Sequence, residues 1–103
     1  MGNYEYGEWR SGMEDATPDN YLDIIDEGVM ILEPKHTFGR GVIGYHKADR
    51  KLVYSHDRIV GALMEDEDMS VEEAMEWVSY NTIRSCQYYE NAPEIVFEDE
   101  DIL

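Results

Sequence analysis

The feature that most constrains this chain is its negative charge, which is divided into blocks. Twenty-four Asp and Glu residues oppose eight Lys and Arg residues in 103 positions, so the formal net charge is −16. Residues 1–34 carry −8 (nine acids, one base), residues 35–62 carry +4 (six bases, two acids) and residues 63–103 carry −12 (thirteen acids, one base). Because self-repulsion at this density opposes compaction, we expect the charge either to maintain solubility or to attract a cationic partner.

The same charge balance argues against two classes of ligand. Proteins that bind nucleic acid or anionic membranes neutralise phosphates with Lys and Arg, which are scarce here. The six bases of residues 35–62 lie close in sequence to acids on both sides, so we expect them to form ion pairs within the protein. No apolar run approaches the roughly 18 residues of a membrane span, and residues 1–12 lack the basic start and apolar stretch that are typical of a signal peptide. We therefore expect direct binding neither to nucleic acid nor to membranes.

Length and composition predict one domain with extended ends. A chain of this size buries about 60 to 70% of its unfolded surface, which is enough for one modest core. An apolar fraction of 43%, with eight Tyr, two Trp and two Phe, favours a globular centre over acidic disorder. We place a flexible N-terminal arm at residues 1–20, the domain at residues 21–97 and an acidic tail at residues 98–103. Cys86 is the only cysteine, which fits a reducing compartment.

The first half of the domain contains two β-prone regions. Residues 21–26 are expected to form a short helical or extended piece, and Val29–Leu32 a buried strand that Pro34 ends. Two runs of β-branched and aromatic residues, Gly41–Tyr45 and Lys51–Tyr54, flank a polar segment and predict a β-hairpin.

Two helices are predicted after the hairpin. Ser55 is in N-cap position for a helix over residues 57–64 with one apolar stripe. Ser70 and Glu73 have the spacing of a capping box, in which each side chain accepts a hydrogen bond from the other residue's backbone N–H, so a second helix begins there. The apolar stripe of this second helix comprises Val71, Ala74, Met75, Val78 and Thr82, and is widened by Trp77 and Tyr80.

A break at Asn91–Pro93 precedes the β-prone segment Ile95–Phe97, which we expect at the edge of the sheet. The predicted fold class is therefore α+β. A small antiparallel β-sheet, made of the hairpin and the C-terminal edge strand, packs on a two-helix hairpin, and the acidic termini are flexible.

One string of residues runs across the two predicted helices. It consists of Asp57-Arg-Ile-Val60, Leu63-Met64, Met69-Ser70, Glu72-Glu-Ala74, Glu76-Trp77 and Tyr80-Asn81. This string resembles a group of small phage and prophage proteins that have no assigned function, and the resemblance covers roughly residues 29–97. It implies a small α+β domain and a phage setting, and it implies no chemistry. Because the sequence shows neither a membrane span nor a signal-peptide pattern, we expect the protein in the cytoplasm of the bacterial host cell.

No residue pattern indicates catalysis, a metal or a cofactor. His36, His46 and His56 are ten residues apart, which places them in a loop, the hairpin and a helix start, where we expect them to be exposed rather than joined in a zinc site. Glu65–Asp68 lacks the alternation, the glycine and the final Glu of a calcium-binding EF-hand loop. Cys86 is interpreted as a half-buried structural thiol, and no phosphate-binding loop occurs. We predict a protein that is not an enzyme and needs no cofactor.

Function is then predicted to reside in a protein-binding surface. We expect a phage-encoded acidic inhibitor of the anti-CRISPR type, which binds a basic nucleic-acid-binding protein of host defence, a CRISPR effector or another nuclease, by imitating nucleic-acid phosphates. The alternatives are a non-enzymatic adaptor that uses aromatic anchors and an antitoxin-like regulator. The residues predicted to contact the partner are Glu65, Asp66, Glu67, Asp68, Glu72, Glu73, Glu76, Glu90, Glu94 and Trp9.

Overall fold

A computed structural model describes residues 12–80 and 92–97 of the chain. The described residues form an α+β domain, as predicted, with four strands and four α-helices. In chain order the elements are β1 (Glu14–Asp15), α1 (Tyr21–Ile24), α2 (Lys35–Phe38) with a 3-10 turn (Gly39–Gly41), β2 (Val42–His46), β3 (Lys51–Ser55), α3 (His56–Glu67), α4 (Val71–Val78) and β4 (Glu94–Val96).

The sheet has the strand order β1-β2-β3-β4 and is mixed rather than antiparallel. The predicted hairpin is confirmed: β2 and β3 pair antiparallel, and Tyr45 lies opposite Leu52. The all-antiparallel prediction is wrong, because β4 pairs parallel to β3, with Tyr54 opposite Ile95. Parallel neighbours need a long crossover connection, and α3 and α4 lie between these two strands in the chain.

The N-terminal edge of the sheet comes from the segment predicted as a flexible arm. Glu14 and Asp15 of β1 pair with Tyr45 and Gly44 of β2, and the following Ala16 is buried. Gly44 makes this approach possible, since a Cβ at that position would collide with the side chain of Met13. Residues 12–20 therefore belong to the domain, whereas the first 11 residues of the predicted arm lie outside the described residues.

The segment Val29–Leu32 is a loop, so the prediction of a buried strand there is wrong. Its apolar side chains do pack against the core, and Leu32 is buried. The backbone N–H of Leu32, however, donates to the hydroxyl of Tyr54 at 3.1 Å. A side-chain hydroxyl thus takes the hydrogen bond that a neighbouring strand would have accepted, and the apolar run is explained without a strand.

Both helix starts are confirmed. Ser55 Oγ accepts a hydrogen bond from the N–H of Arg58 at 3.2 Å and caps α3. At α4, the N–H of Glu73 donates to Ser70 Oγ at 3.2 Å and the N–H of Ser70 donates to Glu73 Oε1 at 2.9 Å, which is the predicted capping box. Helix α3 runs to Glu67 and stops where Asp68 adopts the left-handed conformation (φ 57°).

The main core lies between one face of the sheet and the two long helices. Side chains alternate across a strand, so the core-facing residues of β2 and β3 occur at every second or third position. The buried residues of this core from the hairpin and the two helices are Val42, Tyr45, Leu52, Tyr54, Ile59, Val60, Leu63, Ala74 and Val78. A smaller cluster of Val53 and Val96, with Met13 and Ile43, occupies the other face. Among residues 12–80 and 92–97, no helix has the length and apolar character of a membrane-spanning segment.

Candidate protein-binding site

Seven of the acids predicted to contact a partner lie at the junction of α3 and α4. Glu65, Asp66 and Glu67 form the last turn of α3, Asp68 follows it, and Glu72, Glu73 and Glu76 lie on α4; all seven residues are exposed. Only Met69 and Ser70 separate Asp68 from the first residue of α4, so the two groups of carboxylates are held close together. The helical hairpin thus brings this part of the predicted site together.

Three of these acids are engaged within the protein: Glu73 through the capping box, and Glu65 and Asp66 through Arg40. Arg40 Nη1 donates to Asp66 Oδ1 at 3.0 Å, and Arg40 Nη2 forms a short ion pair with Glu65. The hydrogen bond with Glu65 raises the pKa of the Arg40 guanidinium above its usual value. Thr37 Oγ1 also donates to Asp66 Oδ2 at 2.9 Å. Glu65 and Asp66 therefore join α3 to the α2 region, and Arg40 offsets part of their charge.

A groove borders α4 on the side that carries Glu73 and Glu76. It is lined by Met69, Glu73, Glu76, Trp77 and Tyr80 and has a volume of about 560 Å³. Positions 73, 76 and 77 of α4 and Tyr80, just after its end, follow the i, i+3, i+4, i+7 spacing of one helix face, so two carboxylates and two aromatic rings share it. That spacing is the sequence signal for this face; the predicted apolar stripe includes Trp77 and Tyr80 at its edge but does not join them to the two carboxylates.

The two aromatic residues of the groove differ in how they are held. The ring of Trp77 packs against Phe38, with 5.6 Å between ring centroids and an interplanar angle of 32°, and the residue is half-buried. Tyr80 is 66% exposed. Trp77 therefore forms a fixed wall of the groove, while Tyr80 extends the aromatic surface into solvent.

The predicted apolar stripe of α4 faces the core only in part. Ala74 and Val78 are fully buried, but Val71 is 43% and Met75 is 46% exposed. On a helical projection these two residues lie on the flank of the core face opposite the groove. Thr82, the last residue of the predicted stripe, lies outside the described residues. The helix thus carries apolar side chains on both sides of its core face.

Of the remaining predicted contact residues, the structure describes only Glu94, which lies in the sheet rather than at the α3–α4 junction. Glu94 lies in β4, is half-buried, and has Oε1 3.6 Å from Lys51 Nζ. Glu90, Trp9 and the tail of residues 98–103 lie outside the residues that the structure describes, as does Cys86.

Lys47 Nζ lies 3.8 Å from Asp26 Oδ1. Arg40, Lys47 and Lys51 thus form ion pairs within the protein. The prediction of internal ion pairs is confirmed for these three of the six bases of residues 35–62.

All three histidines were predicted to be exposed, and for two of them the prediction is wrong. His46 is 8% and His56 is 5% exposed, whereas His36 is exposed. His56 stacks on Phe97 with ring centroids 4.2 Å apart, because the junction of β3 and α3 packs beside the end of β4. Burial lowers the pKa of His56, and the neighbouring Asp57 opposes this shift. In the described part of the chain, no group of three or more His, Cys, Asp or Glu side chains is arranged to hold a metal ion.

Comparisons with known proteins add no relatives from which a function could be transferred. The chain matches no family model, and neither the curated proteins nor the solved structures contain a significant match to it. The resemblance to small phage proteins therefore stays a prediction, and the function has to be argued from the α3–α4 surface itself.

Proposed function

We propose that this protein is a non-catalytic inhibitor that binds a basic, nucleic-acid-binding protein through the acidic surface at the α3–α4 junction. The observation that carries the proposal is the shared face of α4, where Glu73 and Glu76 stand beside the exposed ring of Tyr80 and the half-buried ring of Trp77. Effective protein interfaces combine aromatic anchors with complementary charge, and this face offers both.

The charge distribution supports a cationic partner. Carboxylates at residues 67, 68, 72 and 76 are exposed at the α3–α4 junction, while Glu65 and Asp66 are bound by Arg40. Glu72 and Glu76 are four residues apart, which places them about one turn of helix, roughly 5.4 Å of pitch, from each other. A row of negative charges at this spacing suits the Lys and Arg residues of a channel that holds a nucleic-acid backbone.

The biological setting follows from the resemblance to small phage proteins. In that setting the basic partner is a bacterial defence protein, such as a CRISPR effector or another nuclease, and the inhibitor acts in the cytoplasm of the host cell. Binding in the nucleic-acid channel of such an effector would exclude its nucleic acid, so inhibition by competition is the mechanism that we propose.

A charge-reversal variant tests the proposal. We expect Glu72→Lys with Glu76→Lys to weaken binding to a purified basic effector at least about tenfold at low salt, because two attractive contacts become repulsive. Glu73 is left unchanged, since its carboxylate caps α4. The control is Asp49→Lys in the exposed β2–β3 turn, for which the change should be threefold or less, roughly the size of a long-range steering effect.

Competition with the effector's nucleic acid completes the test. We expect the affinity to fall steeply as salt increases and the nucleic acid to displace the protein. Binding that is indifferent to salt and persists with nucleic acid bound would contradict the proposal. It would favour an adaptor that relies on exposed apolar side chains. The exposure of Val71, Met75 and Tyr80 supports that alternative.

A further inference from the structure

The groove beside α4 has the chemistry of a site for one cationic side chain. Its lining combines two aromatic rings, from Trp77 and Tyr80, with two carboxylates, from Glu73 and Glu76, and the thioether of Met69. A ring face attracts a cation through its quadrupole, and carboxylates at the rim supply the opposite charge. We propose that this groove binds an arginine side chain of the basic partner, an inference that rests on the proposed function.

The lining favours arginine over lysine for a geometric reason. A guanidinium group is planar, so it can stack on an aromatic face and at the same time direct its N–H donors in the ring plane towards carboxylates. An ammonium group is a compact, strongly hydrated charge and cannot use both kinds of contact equally. Trp77 and Tyr80 provide aromatic faces, and Glu73 and Glu76, each four residues before one of these rings, are placed to receive the donors.

The groove is also organised before any ligand binds. Phe38 packs against the ring of Trp77, and the capping box fixes the Glu73 side chain through Oε1, which leaves the second carboxylate oxygen available for another donor. Side chains that are already ordered lose less conformational entropy on binding. The volume of about 560 Å³ falls within the 300 to 1,000 Å³ that ligand pockets commonly have, so an arginine and part of a flanking residue fit.

Short peptides provide the test, because tri-arginine and tri-lysine carry equal charge and tri-citrulline is a neutral counterpart of tri-arginine. The full chain is titrated with blocked tri-arginine, tri-lysine and tri-citrulline at low salt, and the indole N–H signal of Trp77 is followed by NMR. We expect tri-arginine to bind about five to ten times more tightly than tri-lysine and to shift the Trp77 signal, because only the guanidinium both stacks and pairs with carboxylates. The neutral tri-citrulline should not bind measurably.

Variants that preserve the fold localise the effect. Tyr80→Ala removes an exposed ring and should weaken tri-arginine binding about fivefold while changing tri-lysine binding less than about twofold. Glu76→Gln should weaken tri-arginine binding more than Asp49→Asn, which removes the same charge in the β2–β3 turn. The circular dichroism of all variants is expected to match that of the parent protein.

Each outcome separates this inference from the proposed function. Equal affinity for tri-arginine and tri-lysine, an unshifted Trp77 signal at saturation, or no binding of tri-arginine would overturn the arginine site, and general attraction of a basic effector could still hold. Conversely, if this protein binds tri-arginine tightly at Trp77 but binds no basic effector, the proposed function is contradicted and the arginine site is supported.

Discussion

The hydroxyl of Tyr45 donates a hydrogen bond to Asp26 Oδ2 at 2.6 Å and accepts one from the Asp26 backbone N–H at 3.1 Å. Tyr45 is a buried residue of β2, so this pair ties the loop after α1 to the centre of the sheet. The hydroxyl of Tyr54 on β3 holds the same loop by accepting a hydrogen bond from the Leu32 N–H. Two tyrosines of the hairpin thus position the segment that covers one side of the core.

Removal of the Tyr45 hydroxyl should destabilise the protein. In Tyr45→Phe the ring remains, but the N–H and carboxylate of Asp26 lose their partner, so we expect a loss of about 1 to 2 kcal/mol in the free energy of unfolding. Urea denaturation measures this quantity. Tyr80→Phe is the matched control, because Tyr80 is largely exposed, and it should be close to neutral. If both variants unfold at the same urea concentration, the Asp26 contact contributes nothing.

The same contact predicts a dependence on acid pH. The hydrogen bond from Tyr45, followed by the charges of Lys47 and Arg50, holds the pKa of Asp26 below its ordinary value. A depressed pKa in the folded state means that the contribution to stability is complete above the unfolded pKa, about 3.9, and disappears as the pH falls through the folded pKa. We expect an NMR titration of Asp26 to give a higher pKa in Tyr45→Phe. An unchanged pKa in that variant would contradict this explanation.

His56 should make stability depend on pH near neutrality. Burial is the main cause that lowers its pKa, and Asp57, whose Oδ1 lies 3.9 Å from Nδ1, acts in the opposite direction. The folded protein therefore favours the neutral ring, whereas the unfolded chain binds a proton near pH 6.5. We expect the free energy of unfolding to decrease as the pH falls below about 6.5, until the pH passes the folded pKa.

Two substitutions check the assignment to His56. Replacement of this residue in His56→Gln should remove most of the slope of unfolding free energy against pH between about 5 and 7. His36 is exposed on α2, so His36→Gln should leave that slope in place. A slope that depends on His36 instead would show that the stacked ring beside Phe97 is not the titrating group.

The capping box should stabilise the helix that carries the binding surface. Ser70→Ala leaves the N–H of Glu73 without its acceptor, and a loss of an N-cap side chain typically costs about 1 kcal/mol. We expect thermal and urea unfolding to detect this loss. Ser79→Ala, at the exposed C-terminal end of α4, should change stability by no more than about 0.5 kcal/mol. Equal effects at the two ends would argue against a specific role of the cap.

Arg40 should limit the attraction of this protein for cations. In Arg40→Gln the charges of Glu65 and Asp66 are no longer offset, so we expect affinity for tri-arginine or a basic effector to rise about two- to fivefold at low salt. The free energy of unfolding should change by only about 1 kcal/mol or less, because the ion pairs are exposed. Lys47→Gln, which removes an exposed cation near Asp26, is the control for net charge. An equal gain in both variants would assign the effect to net charge alone.

Local signals explain which parts of the fold could be predicted. The β2–β3 hairpin and the starts of α3 and α4 depend on residues a few positions apart, such as Ser70 and Glu73, and these were correct. The parallel pairing of β4, the strand at Glu14–Asp15 and the burial of His56 depend on contacts between distant segments, and these were missed. The strand predicted at Val29–Leu32 is a loop. A run of apolar residues indicates burial against a core, but it is the same in sequence whether or not the segment forms a strand.

The sequence by itself determined the charge, the α+β class and the points at which its two long helices begin, because capping and alternation operate through short-range hydrogen bonds and side-chain periodicity. Only the tertiary structure decided which acids pair with Arg40 and which border a groove. Arg40 contacts Glu65 and Asp66, which lie 25 or more residues away in the chain, and Phe38 packs against Trp77, which is also distant in sequence. Such pairings are selected by packing in three dimensions, which a linear pattern of residue types does not encode.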